Sequence, residues 1–572
     1  MNNSKYRDSL YEVRQLTDLK QMIDSCVELF GDKEAFLVKD KPGGIYQDIS
    51  YRQLKKDIDA LGTALVNAGL MNKKIALIGE NRYEWIISYL AITNGSGVVV
   101  PIDKELQADE IKILLKRSEA SAIIFSGKYE KVVEDAVNEV ENIEIMIGMD
   151  AMKDDGIKKS LKYLIKRGND LIEEGKRDFL DAVIDPEAMA VLLFTSGTTG
   201  MPKGVMQSHK NIISNVINMS QYVGFTPDKR SLSVLPMHHT YELTCNIMTS
   251  LYQGMSIAIC EGLKYIVKNM AESQATVMVG VPLLFEKMHK KVWKQAESSG
   301  KAKKMKRAIG ISKALGGENI KATKKLFSAV HEAMGGKMEE FISGGAAIDP
   351  EVIRDFNAMG MNMIQGYGMT ENAPIIAVNR DRYHKADAAG FPLPGTEVKI
   401  IEQDEDGIGE IICKGPSVMI GYYEDPEATD DVLKEGWLHT GDFGYLDDEG
   451  FLYVTGRKKN LIVTKNGKNI SPEEIEYYLL KSDFIEEVVV WGKNDEKTGD
   501  IIVCADIFPS IEHIKEVHGK FNEDKLNKII EEEIDIVSSK MPTYKRIKRF
   551  MIRDEEFEKT TSKKIKRYSI EH

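Results

Sequence analysis

The sequence predicts an α/β fold: a large N-terminal domain of parallel-rich sheets flanked by helices, with a β-rich subdomain, followed by a small α+β C-terminal domain. Three observations predict it. Apolar strands and amphipathic helices alternate at βαβ spacing through most of the chain, up to about residue 400. After about residue 396 the chain turns β-rich. Beyond "GRKKN" (Gly456 to Asn460) it continues as short strands, one charged helix and a basic tail. The boundary falls near Lys459, giving expected domains of residues 1–458 and 459–572.

The elements follow in order. "YRQLKKDIDALGTALVNAGL" (Tyr51 to Leu70) places Leu54, Ile58, Leu61 and Leu65 on one helical face. "KIALIGEN" is a buried strand, "EWIISYLAITNG" a helix ended by Gly95, and "GVVVPID" a further strand. "LQADEIKILLKRSEA" is a helix and "AIIFSG" a strand. The alternation resumes after Ala188. "EVKIIEQDEDGIGEIICKG" reads as strand, turn and strand, with the turn at Glu405 to Gly409. In the last segment "IEEVVVWG" and "IIVCADIF" are strands and "NEDKLNKIIEEEIDIVSS" a helix.

Composition narrows the class. The 572 residues are 42% hydrophobic and 29% charged, as a globular chain with ample core requires. A net charge of -12 argues against nucleic acid as the main partner. The opening "MNNSKYRDSLYEVRQ" has no apolar core of a signal peptide, and no apolar run approaches the ~20 residues of a membrane helix. Five cysteines (Cys26, Cys245, Cys260, Cys413, Cys504) form no CxxC pair, so neither a disulfide framework nor a zinc site is expected. A cytoplasmic location follows as the expectation.

One stretch carries the chemistry. "FTSGTTGMPKGV" (Phe194 to Val205) follows the apolar strand "MAVLLF". Its close glycines let backbone N–H groups turn toward an anion, and its hydroxyls and lysine add donors. A Walker A loop needs G-x-x-x-x-G-K-[ST], and this stretch fails that pattern. The chain contains no G-x-G-x-x-G, which argues against a dinucleotide site.

The string "TSGTTGMPKGV" resembles the phosphate loop of the adenylate-forming superfamily, which includes acyl-CoA synthetases, luciferases and peptide-synthetase adenylation domains. Further motifs follow in the family's order: "LPMHHTYE" (Leu235 to Glu242), "SGGAAI" (Ser343 to Ile348), "QGYGMTEN" (Gln365 to Asn372), and the long "GWLHTGDFGYLDDEGFLYVTGRKKNLIVTKNGKNISPEEIE" (Gly436 to Glu476). The resemblance spans about residues 20 to 570, and the long motif is most similar to bacterial long-chain fatty-acyl-CoA synthetases. It implies a two-step reaction: ATP converts a carboxylate to an acyl-adenylate with release of pyrophosphate, and coenzyme A then displaces AMP to give a thioester.

The resemblance also assigns residues. Thr195, Ser196, Gly197, Thr198, Thr199, Gly200 and Lys203 would hold the β- and γ-phosphates. Gly344, Gly345 and Ala346, with Gly366, Tyr367 and Gly368, would frame adenine. Thr370 would meet the α-phosphate and Glu371 would coordinate Mg2+, a hard cation suited to carboxylate and phosphate oxygens. Asp442 would accept from the ribose hydroxyls, with Arg457 in support. Lys459 marks the hinge about which the C-terminal domain moves between half-reactions, and Gly467 would let backbone approach the pantetheine arm. His239 aligns with the mouth of the acyl pocket, with His238 as its rival. The tail "TTSKKIKR" (Thr560 to Arg567) resembles the ending S-G-K-x-x-R and places Lys564 as the catalytic lysine. Lys563 stands where Gly is usual, so Lys563 and Lys566 are alternatives.

Residues 290–325 carry 12 Lys/Arg against two Glu. They are a solvated basic helix pair or a contact for an anionic surface: a membrane, an acyl carrier protein, or CoA phosphates. The expected substrate is a medium- or long-chain fatty acid, and the expected location allows a peripheral place at the inner membrane face. Two other readings stand beside the synthetase: a fatty-acyl-AMP or acyl-carrier-protein ligase, and a binding protein that kept the fold without catalysis.

Overall fold

The computed structural model describes residues 10–195, 202–314, 320–381, 383–463, 469–494, 501–559, 565–567 and 570. By packing, the chain forms two compact units. The first comprises Met1–Glu397, Cys413–Leu438 and Glu449–Phe451, and the second comprises Val398–Ile412, His439–Asp448 and Leu452–His572.

The first unit holds two large sheets. One has eight strands, with Gly97–Pro101, Lys73–Ile78, Ala122–Phe125, Ile145–Gly148 and Lys158–Ser160 running parallel. The hairpin Met189–Thr195 and Lys203–Ser208 and the short strand Gly421–Tyr422 complete it on the other side. The second sheet has nine strands. Asn362–Gly368, Glu340–Ser343, Val277–Gly280, Arg230–Ser233, Ser256–Ile259 and Glu34–Val38 are parallel, with antiparallel strands at both edges. The strands expected from "KIALIGEN", "GVVVPID" and "AIIFSG" all lie at the centre of the first sheet. Buried on both faces, they read as continuous apolar runs.

The helices follow from the same pattern. Helix Tyr51–Asn67 starts at Ser50, whose side chain accepts from the Gln53 N–H, and buries Leu54, Ile58, Leu61 and Leu65. Each such side chain contributes roughly 1.5–3 kcal/mol on burial. Helix Leu161–Glu173 packs against it so closely that a Cβ on Gly168 would lie 1.7 Å from the Ala60 carbonyl oxygen. Helix Tyr83–Ala91 does not stop cleanly at Gly95. It widens into a π-turn over Ile92–Ser96, in which Gly95 takes φ 136°.

In the second unit, strands Ile485–Asn494 and Ile501–Pro509 pair antiparallel, and Ile547–Ile552 joins in parallel. Helices Pro472–Leu479 and Glu523–Ser539 cover this sheet through Ile475, Leu479, Ile530 and Ile534. The "EVKII…GEIICKG" segment gives strands Glu397–Ile401 and Gly409–Lys414, as its pattern predicts. All five cysteines are buried and free. No helix among the described residues is long and apolar enough to cross a membrane.

Candidate active site

The glycine-rich stretch joins two antiparallel strands rather than a strand and a helix. Thr195 pairs with Lys203 and Phe194 with Gly204. Ser196, Gly197, Thr198, Thr199 and Gly200 lie outside the described residues. Both arms are braced. The Arg117 guanidinium donates to the Pro202 carbonyl and sits 5.9 Å over the Phe194 ring. On the returning arm, Gly204 accepts from the Tyr423 N–H at 2.7 Å, and Met206 accepts from the Ile420 N–H at 3.0 Å.

The same short segment reaches the residues expected to hold phosphate and metal. The Met419 N–H donates to the Glu371 carbonyl at 2.9 Å. The Tyr422 hydroxyl donates to Glu371 Oε1 at 2.9 Å, and Lys203 Nζ lies 4.7 Å from the centre of the Tyr422 ring. Gln207 Nε2 donates to the Thr370 carbonyl at 2.5 Å. Below the turn Thr370–Asn372, buried Asn215 donates to the carbonyls of Asn372 and Ile375 at 3.2 and 2.9 Å. Thr195, Lys203, Thr370 and Glu371 thus belong to one braced constellation in the first unit. Among the described residues no three His, Cys, Asp or Glu side chains group as a metal site. A lone half-buried carboxylate suits Mg2+, which keeps waters and takes its other ligands from substrate phosphates.

The residues expected around adenine sit at the carboxyl ends of parallel strands, where open α/β sheets bind ligands. Gly344 follows strand Glu340–Ser343, and its N–H donates to the Gly280 carbonyl at 3.2 Å. A Cβ on Gly344 would lie 2.7 Å from the Tyr241 ring, whose hydroxyl donates to the Ile342 carbonyl at 3.0 Å. Gly345 takes φ 84°, a left-handed conformation that favours glycine, and is exposed together with Ala346. Gly366, Tyr367 and Gly368 end strand Asn362–Gly368 and are half-buried. A Cβ on Gly368 would lie 2.1 Å from the Pro374 carbonyl oxygen.

The "LPMHHTYE" segment is held by Asn81, which donates to the Leu235 carbonyl at 2.6 Å and accepts from the Met237 N–H at 3.2 Å. Buried His238 faces Asp103 at 3.5 Å, and half-buried His239 lies with its ring centre 4.3 Å from that of His238. Glu242, fully buried, accepts from Asn246 Nδ2 at 2.8 Å. Burial pushes its carboxyl from the ordinary 4.5 up to about 7. A raised acid pKa favours the folded state fully below about 4.5, and that contribution is lost as pH rises through about 7. Between about pH 5.5 and about pH 8.5 the protein is expected to lose roughly 2 kcal/mol from this group. Denaturant titrations should show the Glu242→Gln variant without that loss, and parallel curves for the two proteins would refute it.

In the second unit, Asp442 and Arg457 are directly opposed across an antiparallel pair, with Arg457 Nε 2.9 Å from Asp442 Oδ1. The Asp442 side chain is 5% exposed and that of Arg457 61%. Thr440 Oγ1 accepts from the Asp442 N–H at 3.1 Å. Glu410 takes Lys458 Nζ at 2.9 Å. Burial alone would raise the Glu410 carboxyl, and Lys458 more than offsets it, leaving it below its ordinary value. Exposed Lys459 lies in the turn Lys458–Asn460. Gly467 lies outside the described residues, between strands Ile462–Val463 and Asn469–Ile470.

Lys563 and Lys564 also lie outside the described residues. The chain on either side is fixed. Lys559 and Ile565 form an antiparallel bridge, and the Lys566 N–H donates to the Glu558 carbonyl at 2.8 Å. The Arg567 guanidinium donates to the buried Glu476 carboxylate and to the Val490 carbonyl.

Sequence reasoning missed Tyr422, Gln207, Asn215, Arg117 and Asn81. Each acts on a partner at least 51 positions away. The "GYY" of Gly421 to Tyr423, beside a charged helix, was the available signal.

The profile of the AMP-binding enzyme family matches residues 23–423, and that of the AMP-binding enzyme C-terminal domain matches residues 459–572. Fatty acyl-CoA synthetase A of Dictyostelium discoideum is 30% identical over 510 residues, covering 85% of this chain and 74% of that protein. Long-chain-fatty-acid–CoA ligase 5 of Mus musculus is 32% identical over 530 residues, covering 86% and 76%. A chloroplastic long-chain-fatty-acid–[acyl-carrier-protein] ligase of Arabidopsis thaliana is 26% identical over 586 residues, covering 89% and 78%. The crystal structure of an anthranilate CoA ligase in complex with anthranoyl-AMP superposes with a TM-score of 0.76 at 19% identity, covering 99% of this chain and 98% of that one.

Proposed function

The chain belongs to the AMP-binding enzyme family, and from that premise we propose that it is an AMP-forming fatty-acyl-CoA synthetase acting on medium- or long-chain fatty acids. One observation carries the reading: relatives named as fatty acyl-CoA synthetases or ligases share 30–32% identity over 85–86% of the chain.

A carboxylate oxygen attacks the α-phosphorus of ATP and pyrophosphate leaves. The thiolate of coenzyme A then attacks the acyl carbon, and AMP leaves with the electrons of the C–O bond. Lys203 and the loop from Thr195 would hold the departing pyrophosphate, and Thr370 would meet the α-phosphate. Glu371 would hold Mg2+, which supplies charge neutralisation on the phosphates. Asp442, paired with Arg457, would accept from the ribose hydroxyls. Lys564 would stabilise charge on the carboxylate and α-phosphate during the first step only. Motion about Lys459 would then bring the segment around Gly467 to the thiol.

Release of pyrophosphate and AMP across carboxylic acids from acetate to stearate, with and without coenzyme A, tests this reading. CoA-dependent turnover on the longer acids is expected. The Arabidopsis relative favours a carrier protein as the alternative acceptor. Adenylate that forms and never discharges to coenzyme A would select that alternative. Silence on every acid would overturn both.

The basic stretch gives exposed helical surface. Lys291 and Lys294 on helix Pro282–Ser298, and Lys303, Lys304, Lys306 and Arg307 on helix Ala302–Ala314, face solvent. Lys313 does not join them, because its Nζ is held by Asp355 Oδ1 at 3.0 Å. We infer that this surface meets anionic lipid. Each charge near such a surface gains about 1 kcal/mol. Reversing the charges of Lys301, Lys303, Lys304 and Lys306 should therefore abolish co-sedimentation with anionic vesicles, and unchanged co-sedimentation would rule the contact out.

A further inference from the structure

We propose that Tyr422 is a positioning residue that sets the phosphate-loop lysine, Lys203, and the metal-binding carboxylate, Glu371, as one unit. The proposal deepens the reading of this site as an ATP site and rests on it.

Three observations support it. The ring of Tyr422 lies under Lys203 Nζ at 4.7 Å, a distance at which a ring face attracts a cation. Its hydroxyl donates to Glu371 Oε1 at 2.9 Å. Its own place is fixed on several sides. The Tyr422 N–H donates to Thr429 Oγ1 at 2.9 Å, Tyr422 opposes Val205 in the sheet, and 7% of its surface is exposed. The other braces act differently. Arg117 and Gln207 hold backbone carbonyls at Pro202 and Thr370. Tyr422 meets the side chains of both Lys203 and Glu371.

The physical consequence concerns the metal. A carboxylate that accepts one directed hydrogen bond loses rotational freedom and presents its second oxygen in a defined direction. Partners of this kind behind metal ligands typically alter metal affinity 10–100-fold. The ring has a separate duty: it fixes the lysine ammonium before any phosphate arrives.

The two duties separate by substitution. Tyr422→Phe keeps the ring and removes the donor, whereas Tyr422→Leu removes both. Calorimetric titration with ATP, once in Mg2+ and once in EDTA, reads them without turnover. In the wild-type protein Mg2+ should tighten ATP binding. In Tyr422→Phe the metal-free affinity should stay within about twofold, while the tightening by Mg2+ falls about tenfold or more. In Tyr422→Leu the metal-free affinity should fall as well. A Phe variant with wild-type Mg2+ coupling overturns the proposal, as does a Phe variant that loses metal-free affinity to the same extent as the Leu variant. If wild-type protein binds no ATP in either buffer, the ATP-site reading itself falls, a failure distinct from that of Tyr422.

Discussion

Lys564→Ala should stop the first half-reaction and spare the second. Adenylate formation, followed as pyrophosphate release, is expected to slow by about 10²–10³-fold, the usual effect of removing one preorganised charge donor from a developing anion. Discharge of preformed acyl-AMP to coenzyme A should stay within a few-fold of wild type, because Lys564 is assigned to the attack at the α-phosphorus and not to the attack of the thiol at the acyl carbon. Arg567 is tied to Glu476 and Val490 on one side, and the Lys559–Ile565 bridge closes the other. Lys563 and Lys564 lie outside the described residues. Lys563→Ala and Lys566→Ala serve as controls. If either of them, rather than Lys564→Ala, shows the selective loss, the assignment moves to that residue.

The opposite split is expected at Lys459. A proline there fixes φ near −65° and stiffens the residue before it. The turn Lys458–Asn460 is closed by the Leu461 N–H, which donates to the Arg457 carbonyl at 3.2 Å, a bond that does not use the Lys459 N–H. Lys459→Pro should therefore fold and form adenylate at nearly the wild-type rate. Thioester formation from acyl-AMP should fall on the order of 10²-fold, as expected when reacting groups cannot reach alignment. Equal losses in both half-reactions would show that Lys459 acts structurally and that no motion is centred on it.

The two variants also show what the sequence makes legible. The strands of the first unit were readable because parallel strands buried on both faces must be apolar along their whole length, as Ile75 to Ile78 and Ala122 to Phe125 are. The helix Tyr51–Asn67 was readable from its four-residue spacing. The π-turns at Ile92–Ser96 and Tyr241–Met248 were not, since an extra residue per turn has no local composition signal. Motif residues that are contiguous, such as Gly366 to Glu371, could be singled out from the chain alone. Tyr422 could not, because its meaning comes from pairing with Val205, more than two hundred positions earlier. Asn215 likewise gains its role only by sitting beneath Asn372 and Ile375. The fully buried Glu242 reads in the sequence as an ordinary acid after "HHTY", and only its burial reveals the shifted carboxyl.

In the proposed reaction a carboxylate oxygen bonds to the α-phosphorus of ATP and AMP leaves from the acyl carbon. The most direct measurement uses a long-chain fatty acid carrying oxygen-18 in both carboxyl oxygens, turned over with ATP, Mg2+ and coenzyme A, with the products read by mass spectrometry. The expected products are AMP with one heavy oxygen, a thioester retaining one, and unlabelled pyrophosphate. Unlabelled AMP, or label in inorganic phosphate alongside ADP, would contradict it.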